Sequence, residues 1–217
     1  MKDIIYVYSK DGILLQGDKD KIFEPLLFCD DIFVHNNDYY LKDSFVENNN
    51  QIIVYKNINK IKAVILNFLK DNLTGYYSKN YLFKYLEQKV QSPEQFALIF
   101  GDIDNFKRIN SEQGHFKADI ILRNLGNIIT SNLKEQEYAF RFGGDEVFII
   151  SNNTDLNSHL KHYNKINKKL ITECGVSCSF GIILYDKSKS IDENLAKIDS
   201  LLKHSKANGK NLITIGE

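Results

Sequence analysis

Proline, cysteine, net charge and long apolar runs are all scarce in this 217-residue chain. The two prolines are Pro25 and Pro93, and no stretch has the composition of a flexible linker or an internal repeat. The three cysteines are Cys29, Cys174 and Cys178. An odd count without a CxxC pair argues against a disulfide scaffold or a thiolate metal site and fits a reducing compartment. Cys174 and Cys178 flank strand-like sequence and are expected as small core hydrophobes. Basic and acidic residues balance at 28 each, so no long-range field draws in nucleic acid or an anionic membrane. Any anionic ligand must be held by local features. No apolar run approaches the roughly 20 residues of a membrane helix. The start, "MKDIIYVYSKDG", lacks the basic-then-apolar layout of a signal peptide. The expectation is a soluble, cytoplasmic protein with no nucleic-acid or membrane partner.

What is present divides the chain into three. Residues 1–57 read as a small β-rich module. "DIIYVYS" and "GILLQGD" are apolar runs around the turn signal "KDG", and "ENNN" at 47–50 reads as a hairpin tip. Residues 58–72 read as a linker helix, with Ile58, Ile61, Ile65 and Phe68 spaced for a short coiled-coil seam or a packing stripe. From 73 to 217 helix and strand patterns alternate. Helices are expected at 79–91, 119–133, 156–171 and 191–209, and strands at 94–103, 175–186 and 210–215. The pattern predicts an α/β architecture, helices packed on a mixed sheet.

"RFGGDEVFII", residues 141–150, interrupts strand sequence with two glycines and two carboxylates. Gly143-Gly144 is expected to form a two-residue hairpin turn through positive φ angles. "FALIFGDIDNF" brings Asp102 and Asp104 to a strand end, so carboxylates can converge across one sheet edge. Such a cluster suits Mg²⁺, which takes one or two carboxylates plus phosphate oxygens and water. Metal ions of this kind activate an attacking hydroxyl and neutralise a leaving pyrophosphate. The plainer alternative for any single Asp here is a solvated or capping role.

Taken together, "FGDIDNFKRIN", "GHFKAD" and "RFGGDEV" resemble the GGDEF family, the diguanylate cyclases. "DNLTGYYSKNYL" is similar to the family's opening D-x-L-T-G signature, and "VSCSFGIILY" and "LLKHSKANGKN" to its late strand and closing helix. The resemblance covers about 71–217. It implies a mixed sheet like the palm of adenylyl cyclases and polymerases, and condensation of two GTP into cyclic di-GMP by a homodimer using Mg²⁺ or Mn²⁺.

Family roles fall on matching residues. Asp102, the main-chain carbonyl of Ile103, and Asp145 would hold metal. Glu146 would act near the ribose 3′-hydroxyl as a general base or a metal-assisting group. Gly143 and Gly144 would let the backbone approach the nucleotide. The amides of Asn105, Phe106 and Lys107, with the ammonium groups of Lys107, Lys206 and Lys210, would meet the β- and γ-phosphates. Asn110 and Asp119 would read guanine, because a carboxylate accepts from its N1–H and amino group and adenine offers no such pair. Gly114 and His115 are expected as a turn and a hydrogen-bonding support.

Several positions depart from the family pattern. Val147 replaces Phe, Ala118 a Gly, and Lys210 an Arg, and "YYSKN" stands where L-x-N-R-R is usual. The family's inhibitory R-x-x-D appears as Lys134 and Glu137, and Lys cannot form a guanidinium fork. Weak or absent product inhibition is therefore expected there. Asn57-Ile58-Asn59 resembles the junction between a PAS-type sensor and its cyclase, so the short N-terminal module is expected to be a reduced PAS-like sensory or dimerisation module, with an unrelated small β domain as the alternative. Two alternatives keep the domain and change its use: a cyclase making another cyclic nucleotide, for example an adenine-containing one in a defence system, and a catalytically inactive GTP-binding regulatory domain. Asp119 argues against the first, and the Asp102, Asp145 and Glu146 set against the second.

Overall fold

A computed structural model describes residues 4–8, 14–17, 24–26, 29–35, 38–47, 50–58 and 69–216. The chain separates into two compact units, Met1–Asn67 and Phe68–Glu217. The first is a six-stranded antiparallel sheet of β1 (Ile4–Tyr8), β2 (Leu14–Gln16), β3 (Glu24–Leu26), β4 (Cys29–His35), β5 (Asp38–Glu47) and β6 (Asn50–Asn57), in the order β2-β1-β6-β5-β4-β3. The β1–β2 and β5–β6 pairings match the expected hairpins, the latter closing at Glu47↔Asn50. Tyr6 and Tyr40 are buried, and Tyr6 meets Tyr55 edge-on at 5.8 Å between ring centroids. The expected linker helix falls mostly on 59–68, outside the described residues. Its end is corrected: Lys70 pairs with Tyr77 in an isolated bridge, and residues 72–74 form a turn.

The second unit contains α1 (Lys79–Lys89), β7 (Ala97–Ile103), α2 (Phe106–Asn132), β8 (Glu137–Arg141), β9 (Glu146–Ser151), α3 (Leu156–Cys174), β10 (Cys178–Leu184), α4 (Ile191–Ala207) and β11 (Ile213–Ile215). Its sheet runs β11-β10-β7-β9-β8, with β10–β11 parallel and the other pairs antiparallel. The mixed α/β expectation holds. Strands β7, β9 and β10 are nearly continuous apolar runs because both faces of the sheet are covered.

Alternation divides those runs. Ile99, Ile103, Val147, Ile149, Cys178 and Phe180 join one core with Ile121, Leu125 and Ile129 of α2 and Tyr163, Ile166 and Leu170 of α3. Each such fully buried side chain contributes about 1.5–3 kcal/mol. The opposite face carries α4, packed so closely that a Cβ on Gly181 would stand 2.7 Å from the Ile198 carbonyl oxygen.

Local sequence sets the helix ends. Ser78 caps α1, Asp155 caps α3, and Ser190 with Glu193 form a capping box on α4. Helix α2 is two helical segments joined at Gly114, whose φ of 78° and ψ of 164° only glycine adopts readily. Cys178 is fully buried as expected, and Cys174 is partly buried. No helix among the described residues is long and apolar enough to cross a membrane.

Candidate active site

Register brings the carboxylates together. Asp102, near the end of β7, pairs with Glu146 at the start of β9 on one side and with Ser179 of β10 on the other. Asp145 precedes Glu146 in the β8–β9 turn. Lys206, in the last turn of α4, forms an ion pair with Asp102. A cleft of about 430 Å³ opens here, lined by Asp102, Ile103, Asn105, Phe106, Lys107, Asn110, Asp145, Lys206 and Lys210. Nine of the residues singled out in the sequence thus share one cavity.

The electrostatics follow from that crowding. Burial, then the charge of Asp102, push the Asp145 carboxyl up to about 7, and Lys206 offsets only part of this. Burial and Asp102 also raise Glu146, against pulls from Lys206 and Lys79. Two converging carboxylates that resist charging together form a site short of positive charge. Among the described residues no group of three or more His, Cys, Asp or Glu side chains gathers as a metal cage. Two carboxylates and the Ile103 carbonyl suit Mg²⁺, which leaves its remaining positions to water and phosphate oxygens. The side-chain oxygen of Asn110, one of the residues lining the cleft, is buried without a hydrogen-bond partner among the described residues.

The turn itself differs from expectation. Neither Gly143 nor Gly144 has a positive φ. Four residues, 142–145, separate the paired strands, so the two-residue turn that demands such angles is not formed. Gly143 is constrained instead by space: a Cβ there would lie 2.2 Å from Glu146 Oε2. At Gly144 a Cβ would meet nothing within 4 Å. Arg141 holds the turn from behind, donating from Nη2 to the Gly144 carbonyl at 2.7 Å and from Nη1 to Asp71 at 2.8 Å. Burial alone would raise Asp71, but the Thr74 N–H, Arg141 and the Thr74 hydroxyl outweigh it and hold the carboxyl below its usual range.

Other expected residues lie elsewhere. Asp119 is exposed on α2 beyond the Gly114 break and does not line the cleft. His115 is exposed, and among the described residues its side chain makes no hydrogen bond, so its expected role as a support is not seen there. Asp104, which the sequence brings to the same strand end as Asp102, does not line the cleft and accepts from Ser177, Ser179 and Asn211. Lys134 and Glu137 sit at the far end of β8. Glu137 is 5% exposed, accepting from Ser151 Oγ and the Lys134 N–H, while the Lys134 ammonium donates to Ser158. Sequence reasoning missed Lys79, whose Nζ lies 4.2 Å from the Phe142 ring centroid beside the turn. No spacing rule connects residues so far apart in the chain.

Residues 68–212 match the family described as diguanylate cyclase, GGDEF domain. Over 154 residues the chain is 29% identical to diguanylate cyclase DgcS of Shewanella oneidensis, covering 65% of this chain and 50% of that protein. Over 190 residues it is 27% identical to diguanylate cyclase A of Treponema denticola, covering 76% of this chain and 50% of that one. The chain therefore spans about half the length of these curated relatives. Among solved structures, the coiled coil and GGDEF domain of DgcB from Caulobacter crescentus, in complex with c-di-GMP, is similar with a TM-score of 0.67 at 19% identity, covering 72% of this chain and 90% of that one. The active GGEEF domain of a diguanylate cyclase from Vibrio cholerae gives 0.54 at 24% identity, covering 61% and 89%. These structural likenesses establish the fold.

Proposed function

The chain belongs to the GGDEF family, and from that premise we propose that it is a diguanylate cyclase, joining two GTP into cyclic di-GMP with release of two pyrophosphates across a homodimer. The observation that carries the reading is the convergence of Asp102 and Asp145 in one cleft with Lys206, Lys210 and the unpartnered Asn110 oxygen. Asp102, Asp145 and the Ile103 carbonyl would hold Mg²⁺ or Mn²⁺. When bound, such an ion supplies Lewis acidity at the α-phosphate and charge for the departing pyrophosphate.

The remaining work belongs to the chain. Lys206 and Lys210, with Lys107 and the amides that open α2, orient the β- and γ-phosphates. Asn110 and, across the helix break, Asp119 accept from the guanine edge, which selects GTP over ATP. Glu146, its carboxyl raised above the ordinary range by burial and Asp102, takes the proton of the 3′-hydroxyl. As that oxygen bonds to the α-phosphorus of the other nucleotide, the bond to the β-phosphate oxygen breaks and pyrophosphate leaves. A second such exchange closes the ring. Product inhibition through Lys134 and Glu137 is expected to be weak, since Glu137 is spent on internal hydrogen bonds.

The test is incubation of the purified chain with Mg²⁺ and each nucleoside triphosphate, with products identified by mass. Cyclic di-GMP from GTP alone, lost in Asp145→Ala, supports the reading. An adenine-containing product, or GTP binding without pyrophosphate release, overturns it.

A further inference from the structure

Asp104 has no part in the chemistry above, yet its side chain is among the most fully used in the molecule. It is 4% exposed. Oδ2 accepts from Ser177 Oγ at 2.6 Å and from the Asn211 main-chain N–H at 2.8 Å, and Oδ1 accepts from Ser179 Oγ at 2.7 Å. Its own N–H donates to the Ser177 carbonyl at 2.8 Å. All these partners lie between residues 177 and 211, at the start of β10 and in the turn after α4.

That turn is strained. Gly209, Lys210 and Asn211 follow one another with φ of 116°, 63° and 49°. Asn enters this left-handed region readily, but Lys holds it only where its surroundings over-determine the backbone. Asn211 is gripped twice, by Asp104 at its N–H and by Asn167 Nδ2 on its side-chain oxygen at 2.8 Å. The constraint reaches the cleft through Lys210, whose Nζ donates to Asn105 Oδ1 at 2.5 Å. Asn105 is itself left-handed, with φ of 62°. Two left-handed backbone positions that both line the cleft are thus fastened on either side of one buried carboxylate.

We propose that Asp104 is a positioning residue for the polyphosphate end of the substrate: by locking the 209–211 turn it holds the Lys210 ammonium at the cleft. The inference rests on the reading of Lys210 as a phosphate ligand. Replacing the carboxylate by an amide removes the charge that strengthens all three hydrogen bonds, the one from the Asn211 N–H among them, and lets the turn relax. Asp104 touches no substrate, so its loss acts on the phosphates that Lys210 meets and not on the base.

The experiment measures calorimetric affinity of the full chain, with Mg²⁺, for 3′-deoxy-GTP, which lacks the attacking hydroxyl, and for 3′-deoxy-GMP. Asp104→Asn is expected to weaken the triphosphate about tenfold, the scale of one charged hydrogen bond, and the monophosphate less than about twofold. Lys210→Ala is expected to do the same, and the double variant no more than the worse single one. Equal weakening of both ligands by Asp104→Asn means a merely structural role and overturns the proposal. So does an unchanged triphosphate preference in Asp104→Asn beside a lost one in Lys210→Ala, which leaves the phosphate reading intact. An unchanged preference in Lys210→Ala removes that reading and the proposal with it. If Asp104→Asn fails to fold by circular dichroism, Ser177→Ala removes one donor from the same oxygen. It should give a smaller loss of the same preference, and no loss overturns the proposal.

Discussion

Gly143 and Gly144 are neighbours under different constraints, and alanine at each should separate them. A Cβ at 143 collides with the end of the flexible Glu146 side chain, so rotation of that side chain relieves the clash at little cost to stability. The displaced carboxylate no longer meets the 3′-hydroxyl. Gly143→Ala should therefore lower kcat on the order of 10²-fold, a typical general-base contribution, with the melting temperature nearly unchanged. Gly144→Ala enters open space and should leave kcat alone while raising KM for GTP, if the backbone is bare there to admit the nucleotide. Steady-state kinetics beside thermal melts distinguish the two. Asp145 yields a second residue-level expectation. Its folded-state carboxyl titrates near 7, above the ordinary 3.8. The folded state therefore keeps a proton that the unfolded state has released. The associated stability is full below about 3.8 and is lost as pH rises through about 7. Metal binding needs the charged carboxylate. The rise in melting temperature on adding Mg²⁺ should be larger at pH 8 than at pH 5.5, and an equal rise at both would sink the assignment of Asp145 to the metal.

At the scale of elements, one guanidinium joins the turn at 71–76 to the turn at 142–145. Asp71 organises the first by accepting from the Leu73 and Thr74 N–H groups and the Thr74 hydroxyl, and it spends its other oxygen on Arg141. Arg141 reaches the second through the Gly143 and Gly144 carbonyls. A single ammonium cannot span both. Arg141→Lys should cost about 2 kcal/mol, a fall of roughly 4–8 °C in melting temperature, and should also lower kcat because the turn bearing Asp145 loosens. Strands β7, β9 and β10 were legible in the sequence from their apolar runs, as was the helix that carries Ile121, Leu125 and Ile129. These signals are local periodicities or strong motifs. What escaped was partner choice across distance. Two-residue periodicity sends Asp102 to a face but cannot say that Asp104, just past the strand, turns to Ser177, Ser179 and Asn211. Likewise, a Gly-Gly pair advertises conformational freedom, and only the register Arg141↔Val147 reveals that space is the constraint.

For the whole molecule, the question is how many chains one product requires. The proposed reaction joins two nucleotides head to tail, each offering a 3′-hydroxyl to the other's α-phosphate. The described residues of one chain bring one pair of carboxylates, Asp102 and Asp145, to one cleft. A two-fold axis between two such clefts satisfies both attacks at once, since an isologous arrangement gives each nucleotide the same view of its partner. Chemistry then waits on encounter, and what holds the chains together sets the rate through proximity. With 28 basic and 28 acidic residues, neither copy carries a net charge that repels the other, so salt should matter little. Specific activity should thus rise in proportion to enzyme concentration while the chain is monomeric and level off once the dimer forms. The two regimes should coincide with the change in mass seen by light scattering across the same dilution series. Constant specific activity down to concentrations where only monomer scatters would mean that one chain closes the ring alone, and the two-chain reading would have to be abandoned.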